Sequence, residues 1–179
     1  MIFEKTNLTD AYIVVPTPLS DARGMFFRYY CKEEFKKINH TKEFVQLNQS
    51  VNKIKGTIRG MHFQKAPHEE IKLVRCIKGS IFDVIVDLRP HSNTYLQWFG
   101  SVLSPENLKM MYIPSGFAHG FQTLEDDTQL LYHHTEFYTP SADAGINYLD
   151  PQLKINWPLE PKMVSDKDNN LPFINSIKF

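Results

Sequence analysis

The segment SIFDVIVDLRP, Ser80 to Pro90, constrains the fold more than any other stretch of the chain. Phe82, Val84, Val86 and Leu88 fall on one side of an extended chain, and Ile81, Asp83, Ile85 and Asp87 on the other. A repeat of two belongs to a β-strand, because successive side chains there point to opposite faces. The first set reads as core. The second carries two carboxylates among apolar groups, so it reads as the lining of something wet.

Further strand-like runs follow the same logic. They are AYIVV (11–15), stopped by Pro16 and Pro18, then MFFRYY (25–30), EFVQLNQSV (43–51), TIRGMHFQ (57–64) and IKLVRCIKG (71–79). YLQWFGSVL (95–103), LKMMYIPSG (108–116), GFQTL (120–124) and TQLLYHHTEFY (128–138) continue the series. Turn signals such as SDARG (20–24) recur roughly every 8–12 residues, the spacing of an all-β sandwich or barrel. KEEFKKI (32–38) is the best short helix, with charges around Phe35 and Ile38. Strand–helix alternation is absent, which disfavours a doubly wound sheet. The turn-rich segment 150–172 is expected to wrap the body.

The length of 179 residues suits a single domain over 1–179. Lys plus Arg (20) equals Asp plus Glu (20), and no basic run occurs. That balance disfavours a nucleic-acid partner, yet a few converging arginines could still hold a small anion. Cys31 and Cys76 make no disulfide framework. The start, MIFEKTNLTD, lacks an apolar signal core, and no apolar run nears the roughly 20 residues of a membrane span. The expectation is a cytoplasmic protein with no membrane partner.

Seven histidines raise the question of a metal. Pro114, Gly116 and His119 have the P-x-G-x-x-H spacing of the second motif of cupins, which are double-sheet jelly rolls. A metal-binding cupin would offer H-x-H and then a glutamate. Here His62 is followed by Gln64, although Glu69 lies near the glutamate position. Glutamine is a poor transition-metal ligand beside imidazole, so no metal is expected. His133 and His134 point to opposite faces of a strand and cannot chelate together; one is expected to be exposed and the other packed. What remains is a pocket histidine suited to proton transfer near neutrality. Such a base needs an orienting carboxylate (Asp83 or Asp168), a cation for developing negative charge (Lys72) and an opposed proton donor (Tyr132). Each has a plainer reading: a turn aspartate in SDKD, a core tyrosine, a snorkelling lysine.

The motifs DARGMF (21–26), FVQLNQS (44–50), IRGMHFQ (58–64), KLVRCIKGSIFDVIVDLRPHS (72–92), YIPSGFAHGF (112–121), LYHHTEFY (131–138), DPQLKINWP (150–158) and SDKD (165–168) occur in one order along nearly the whole chain. In this they resemble the dTDP-4-dehydrorhamnose 3,5-epimerase family of nucleotide-sugar epimerases. The resemblance implies an all-β cupin jelly roll, or double-stranded β-helix, with a few short helices and no metal or other cofactor. It implies a homodimer in which an N-terminal strand is swapped to the partner. It also implies a 4-keto sugar on a nucleoside diphosphate, made for surface or capsular polysaccharide.

In family terms His62 takes a proton from C3 or C5, oriented by Asp168. Lys72 stabilises the enolate, and Tyr132 returns a proton on the other face. Arg59 holds the pyrophosphate and Arg23 also meets phosphate. His119 lies near the sugar or its phosphate with Gln46 and Asn48 beside it, Tyr138 stacks on the base, and Phe26 and Arg28 complete the substrate contacts. Strict alternation in TIRGMHFQ sets Arg59, Met61 and Phe63 against Gly60, His62 and Gln64. A bulge at Gly60, or action of Arg59 across the subunit boundary or near the strand end, would reconcile Arg59 and His62 in one site.

Two positions depart from the family pattern. Arg28 stands where the family has a glutamate close to thymine. An arginine only donates, and guanine offers it two acceptors. GDP is therefore favoured over dTDP, with a heptose as an open choice of sugar; the alternative is that Arg28 points to solvent and thymidine binds. Asn52 stands where serine is usual. Epimerisation at C3 alone or at C3 and C5 is open. The other readings are a same-fold 4-keto to 3-keto ketoisomerase, a non-catalytic nucleotide-sugar-binding cupin, and a metal-dependent oxygenase, the last disfavoured by Gln64.

Overall fold

The computed structural model describes residues 1–177. In chain order the strands are β1 (Ile2–Lys5), β2 (Tyr12–Val15), β3 (Leu19–Asp21), β4 (Gly24–Phe26), β5 (Gln46–Asn52), β6 (Ile58–Gln64), β7 (Lys72–Lys78), β8 (Ile81–Asp87), β9 (Trp98–Leu103), β10 (Met110–Ile113), β11 (Phe117–Thr123), β12 (Thr128–His134) and β13 (Asp143–Gly145). Two short helices join them, α1 (Lys32–Phe35) and α2 (Asp166–Asn169). One antiparallel sheet runs β1-β2-β10-β7-β12-β5 and faces a second, β13-β6-β11-β8-β9. This is the all-β, two-sheet arrangement that the strand pattern allows and the jelly roll that the family resemblance implies.

Three apolar clusters explain why alternation is incomplete in so many strands. Between the sheets, Val74, Met111, Ile113 and Leu130 from one meet Ile81, Ile85, Leu103 and Phe121 from the other. The outer face of the five-stranded sheet (Met61, Phe63, Val84, Val86) is covered by Ile146, Leu153, Trp157 and Ile174 of the C-terminal segment. The outer face of the six-stranded sheet (Val14, Leu73, Met110) is covered by Phe35 and Ile38, which make KEEFKKI helical, and by Tyr29, Tyr30 and Phe44. The C-terminal wrap is tied down: Gln122 donates to Leu159 O (2.8 Å) and accepts from Leu159 N (3.0 Å).

Two sequence expectations change here. In β8 the Ile81/Asp83/Ile85 face is not wet: Ile81, Asp83 and Ile85 have no exposed surface and lie inside the sandwich. Asp87 is equally buried, at the strand end, and is satisfied by Arg89, Ser92 and Thr94. In MFFRYY only residues up to Phe26 form a strand. β3 and β4 make a hairpin around Ala22–Arg23, and the chain then leaves the sheet so that Tyr29 and Tyr30 can pack against His133, Phe35 and Phe44. The hairpin itself leaves Leu19 (71 %) and Phe26 (74 %) exposed.

Candidate active site

β6 and β11 are out of step by one residue. His119 pairs with His62 and Phe121 with Arg59, so three steps along β6 match two along β11. An extra residue of this kind reverses the alternation of faces. It brings Arg59 and His62 onto the inner face together, while Met61 and Phe63 keep the outer one. The bulge sits at Gly60, whose φ of 127° suits glycine. Of the ways to reconcile Arg59 with His62, the bulge is the one observed.

His62 Nε2 lies 2.7 Å from Asp168 Oδ1, and the other carboxylate oxygen accepts from Gly60 N–H (3.1 Å). Asp168 arrives on α2, whose first turn is capped when Asp168 N–H donates to Ser165 Oγ (3.1 Å). The turn-aspartate reading and the dyad reading of SDKD are therefore both true of one residue. Burial pushes the Asp168 carboxyl up, but the hydrogen bonds from His62, Gly60 and Ser165 outweigh it and hold the group below the usual aspartate value. With Nε2–H donated to Asp168, the His62 Nδ1 is the nitrogen left to take a proton.

The opposite wall comes from the other sheet. Lys72 on β7 and Tyr132 and His134 on β12 face His62 and Arg59 across a cavity of about 380 Å³. Burial, aided by the Asp83 charge, pushes the Tyr132 hydroxyl well above the usual tyrosine value, so it keeps its proton at neutral pH. Lys72 Nζ lies 3.0 Å from Glu70, which also binds His134. His119 Nε2 lies 2.7 Å from Asp83. Asp83 thus serves His119, and Asp168 is the carboxylate that orients His62. The cavity joins a base held by a carboxylate, a cation and a protonated phenol from facing sheets. That set can remove a proton beside a carbonyl, hold the enolate charge and protonate the far face.

Over residues 5–176 the chain matches the family model described as dTDP-4-dehydrorhamnose 3,5-epimerase. The chain belongs to that family. It is an isomerase. A dTDP-4-dehydrorhamnose 3,5-epimerase of Methanothermobacter thermautotrophicus is 44 % identical over 94 % of this chain and 91 % of its own. A crystal structure of the Bacillus anthracis enzyme with TDP and PPi bound superposes with a TM-score of 0.94, at 42 % identity over 97 % of this chain and 99 % of that one. The Legionella pneumophila enzyme, solved in complex with dTDP-4-keto-L-rhamnose, gives 0.94 at 38 % identity over 99 % and 94 %.

Arg59, His119 and Asn48 line the cavity of this family member together with His62, Lys72, Tyr132 and Asp168. Gln46 and Tyr138 do not line it but meet nearby, where Gln46 Oε1 accepts from Tyr138 N–H (3.0 Å). Arg23 and Phe26 lie on the exposed β3–β4 hairpin, away from the cavity, with Arg23 engaged by Asp21. Arg28 pairs with Glu34 of α1 at 3.0 Å, and this takes away the physical support for an arginine facing a base. Neither His133 nor His134 is exposed, because both faces of their sheet are covered: His133 packs on Tyr29 and His134 binds Glu70. Gln64 is engaged by backbone, donating to His68 O and Phe137 O and accepting from Thr139 N. Among the described residues no group of three or more His, Cys, Asp and Glu could hold a metal ion, and no helix is long and apolar enough to cross a membrane.

Two site residues were not singled out from the sequence, and a third was given no role. Ser165 is one, as the cap that fixes Asp168. Glu70 is another; its spacing of two from Lys72, which puts both on one side of an extended chain, was the available clue. Asn52 was noted without a role, and the structure supplies one: it accepts from Arg59 Nε at 2.8 Å and donates to Thr128 O.

The carboxylates also set the acid response. Burial raises Asp168, Glu70 and Asp87, but hydrogen bonds from their partners outweigh it and leave all three below their ordinary values. A lowered folded-state pKa contributes stability above the unfolded value, about 4, which is lost as pH falls through the folded value. Asp83 has the opposite sign, because burial raises it. With three of these buried carboxylates lowered and one raised, the melting temperature is expected to fall steadily below about pH 4. A rise on acidification, followed by calorimetry, would mean that Asp83 dominates.

Proposed function

We propose that this single-domain chain epimerises a dTDP-linked 4-keto-6-deoxy sugar at C3 and C5. The observation that carries the reading is the His62–Asp168 pair on one wall with Lys72 and Tyr132 on the facing wall. The ketone at C4 acidifies the hydrogens on its two neighbouring carbons. His62 Nδ1 removes one, Lys72 holds the enolate oxygen, and Tyr132 delivers a proton to the opposite face, which inverts the carbon. A ketoisomerase needs no donor on the far wall, and a binding module needs no oriented base, so Tyr132 and Asp168 disfavour both.

The nucleotide is dTDP on this reading. The relatives are named for dTDP sugars, the GDP preference rested on Arg28 meeting the base, and Arg28 is paired with Glu34. The heptose option was tied to GDP and goes with it. Arg59, fixed by Asn52, is the diphosphate ligand of the same chain. Arg23 and Phe26 stand on a hairpin with exposed Leu19, Met25 and Phe26. A homodimer that swaps this N-terminal arm would bury those side chains and deliver Arg23 and Phe26 to the partner's site. Both cysteines are free, in keeping with a reducing, cytoplasmic setting.

Incubation in D2O with dTDP-linked and GDP-linked 4-keto-6-deoxyhexoses tests the reading by mass spectrometry. Two deuterons gained on the dTDP sugar are expected; one would restrict the enzyme to a single carbon, and none would overturn proton abstraction. Arg28→Ala is expected to change the dTDP-over-GDP preference in kcat/KM by less than ~3-fold, since an exposed ion pair contributes little. A tenfold swing would place Arg28 against the base after all.

A further inference from the structure

Glu70 is not part of the cavity wall. It lies behind two side chains that are, with its own side chain only 10 % exposed. One carboxylate oxygen lies 3.0 Å from Lys72 Nζ and the other 2.8 Å from His134 Nδ1. His134 is oriented from its far side as well: its Nε2 lies 3.4 Å from Asn48 Nδ2. An amide nitrogen only donates, so Nε2 accepts and the proton sits on Nδ1, directed at Glu70. Asn48 in turn accepts from Gln46 (3.4 Å), and Gln46 accepts from the Tyr138 amide. Every link in this chain has its donor and acceptor assigned, and the chain ends on the carboxylate that holds Lys72.

We propose that Glu70, backed by His134, is a positioning residue for the reaction: it fixes the Lys72 ammonium where the enolate oxygen develops. The proposal rests on the epimerase reading above. A lysine carries a point charge on a flexible four-carbon stem. Left free in a cavity of this size it would sample several rotamers, and only one suits the oxygen at C4. A bridging carboxylate removes that freedom before substrate arrives, which is where electrostatic stabilisation gains its effect. Burial raises the Glu70 carboxyl, yet the bonds from His134 and Lys72 keep it below the usual glutamate value, so it is an anion under working conditions. Neither neighbour in sequence could replace it: Glu69 lines a different cavity, and Ile71 is apolar.

Glu70→Gln keeps the shape and removes the charge. It is expected to lower kcat by about 10–100-fold, the scale of a misplaced catalytic group, while KM stays within ~3-fold because ground-state binding is left to other residues. Deuterium uptake from D2O should fall in step with kcat, and the melting temperature should stay near that of the parent. Unchanged kcat and uptake in the variant, with an active parent, would overturn the positioning role alone. A parent that takes up no deuterium would overturn the epimerase reading, and the positioning role with it. If Glu70→Gln melts well below the parent, His134→Gln carries the same test: a lower kcat at constant KM supports the role, and parental kcat overturns it.

Discussion

Replacing His62 by alanine is expected to lower kcat by about 10²–10⁴-fold, the range of a positioned general base, and to slow deuterium uptake at both C3 and C5 in step. The size follows from the geometry. His62 Nδ1 is the free nitrogen of a ring whose other nitrogen is fixed 2.7 Å from Asp168. The facing wall offers a lysine already held by Glu70 and a tyrosine whose pKa burial has raised, so neither substitutes as a base. KM should move little, because Arg59, Asn48 and His119 remain. Asp168→Asn should follow for a distinct reason. An amide nitrogen at that place would face His62 Nε2 donor to donor. The imidazole then has to carry its proton on Nδ1, the atom that must accept one. A wrong tautomer of this kind costs about 10⁴-fold in a serine protease triad. Steady-state kinetics with NMR of the product would check both variants. A His62→Ala enzyme within tenfold of the parent would remove His62 from the mechanism.

The second large effect falls on stability. Gly60→Ala places a methyl carbon 2.5 Å from Gly120 Cα and 2.9 Å from His119 O, and does so at a φ of 127°. Both obstacles are backbone of the neighbouring strand, which cannot rotate away. Left-handed strain contributes about 1–3 kcal/mol and overpacking about 1–3 kcal/mol. The melting temperature is expected to drop by roughly 5–20 °C for a chain of this size. Gly120→Ala should behave alike, since its methyl would sit 2.8 Å from Arg59 O and 2.6 Å from Met61 Sδ. The same shift would push β6 off β11 and separate His62 from the carboxylate bound to the Gly60 amide, so activity should fall further than stability alone accounts for. A Gly60→Ala protein with parental melting and kinetics would show that the bulge is not needed.

These variants also separate what was legible in the sequence from what was not. The strand pattern, the helix around Phe35 and Ile38, and the wrapping C-terminal segment were readable because each depends on local spacing and on which side chains must leave water. His62, Lys72, Tyr132 and Asp168 could be named because each stands inside a specific motif. The two faces of β8 were harder. A strand covered on both sides has little alternation to show, and a buried aspartate that meets a histidine of the neighbouring strand through one oxygen looks the same in sequence as one facing solvent. Arg28 was misleading for a related reason: its charge was visible but its partner, Glu34, was not.

By itself the sequence determined an all-β chain of short strands, through short-range periodicity, and the family to which it belongs, through motifs in a fixed order; those motifs also carry the residues proposed as acid, base and cation. Only the tertiary structure decided how they work together. It set a one-residue bulge between β6 and β11 that turns Arg59 inward beside His62, brought Asp168 from more than a hundred positions away to the same ring, and placed Glu70 behind Lys72. Those are relations between strands and between sheets. They depend on register and on close backbone approach, and no single segment of the chain carries that information.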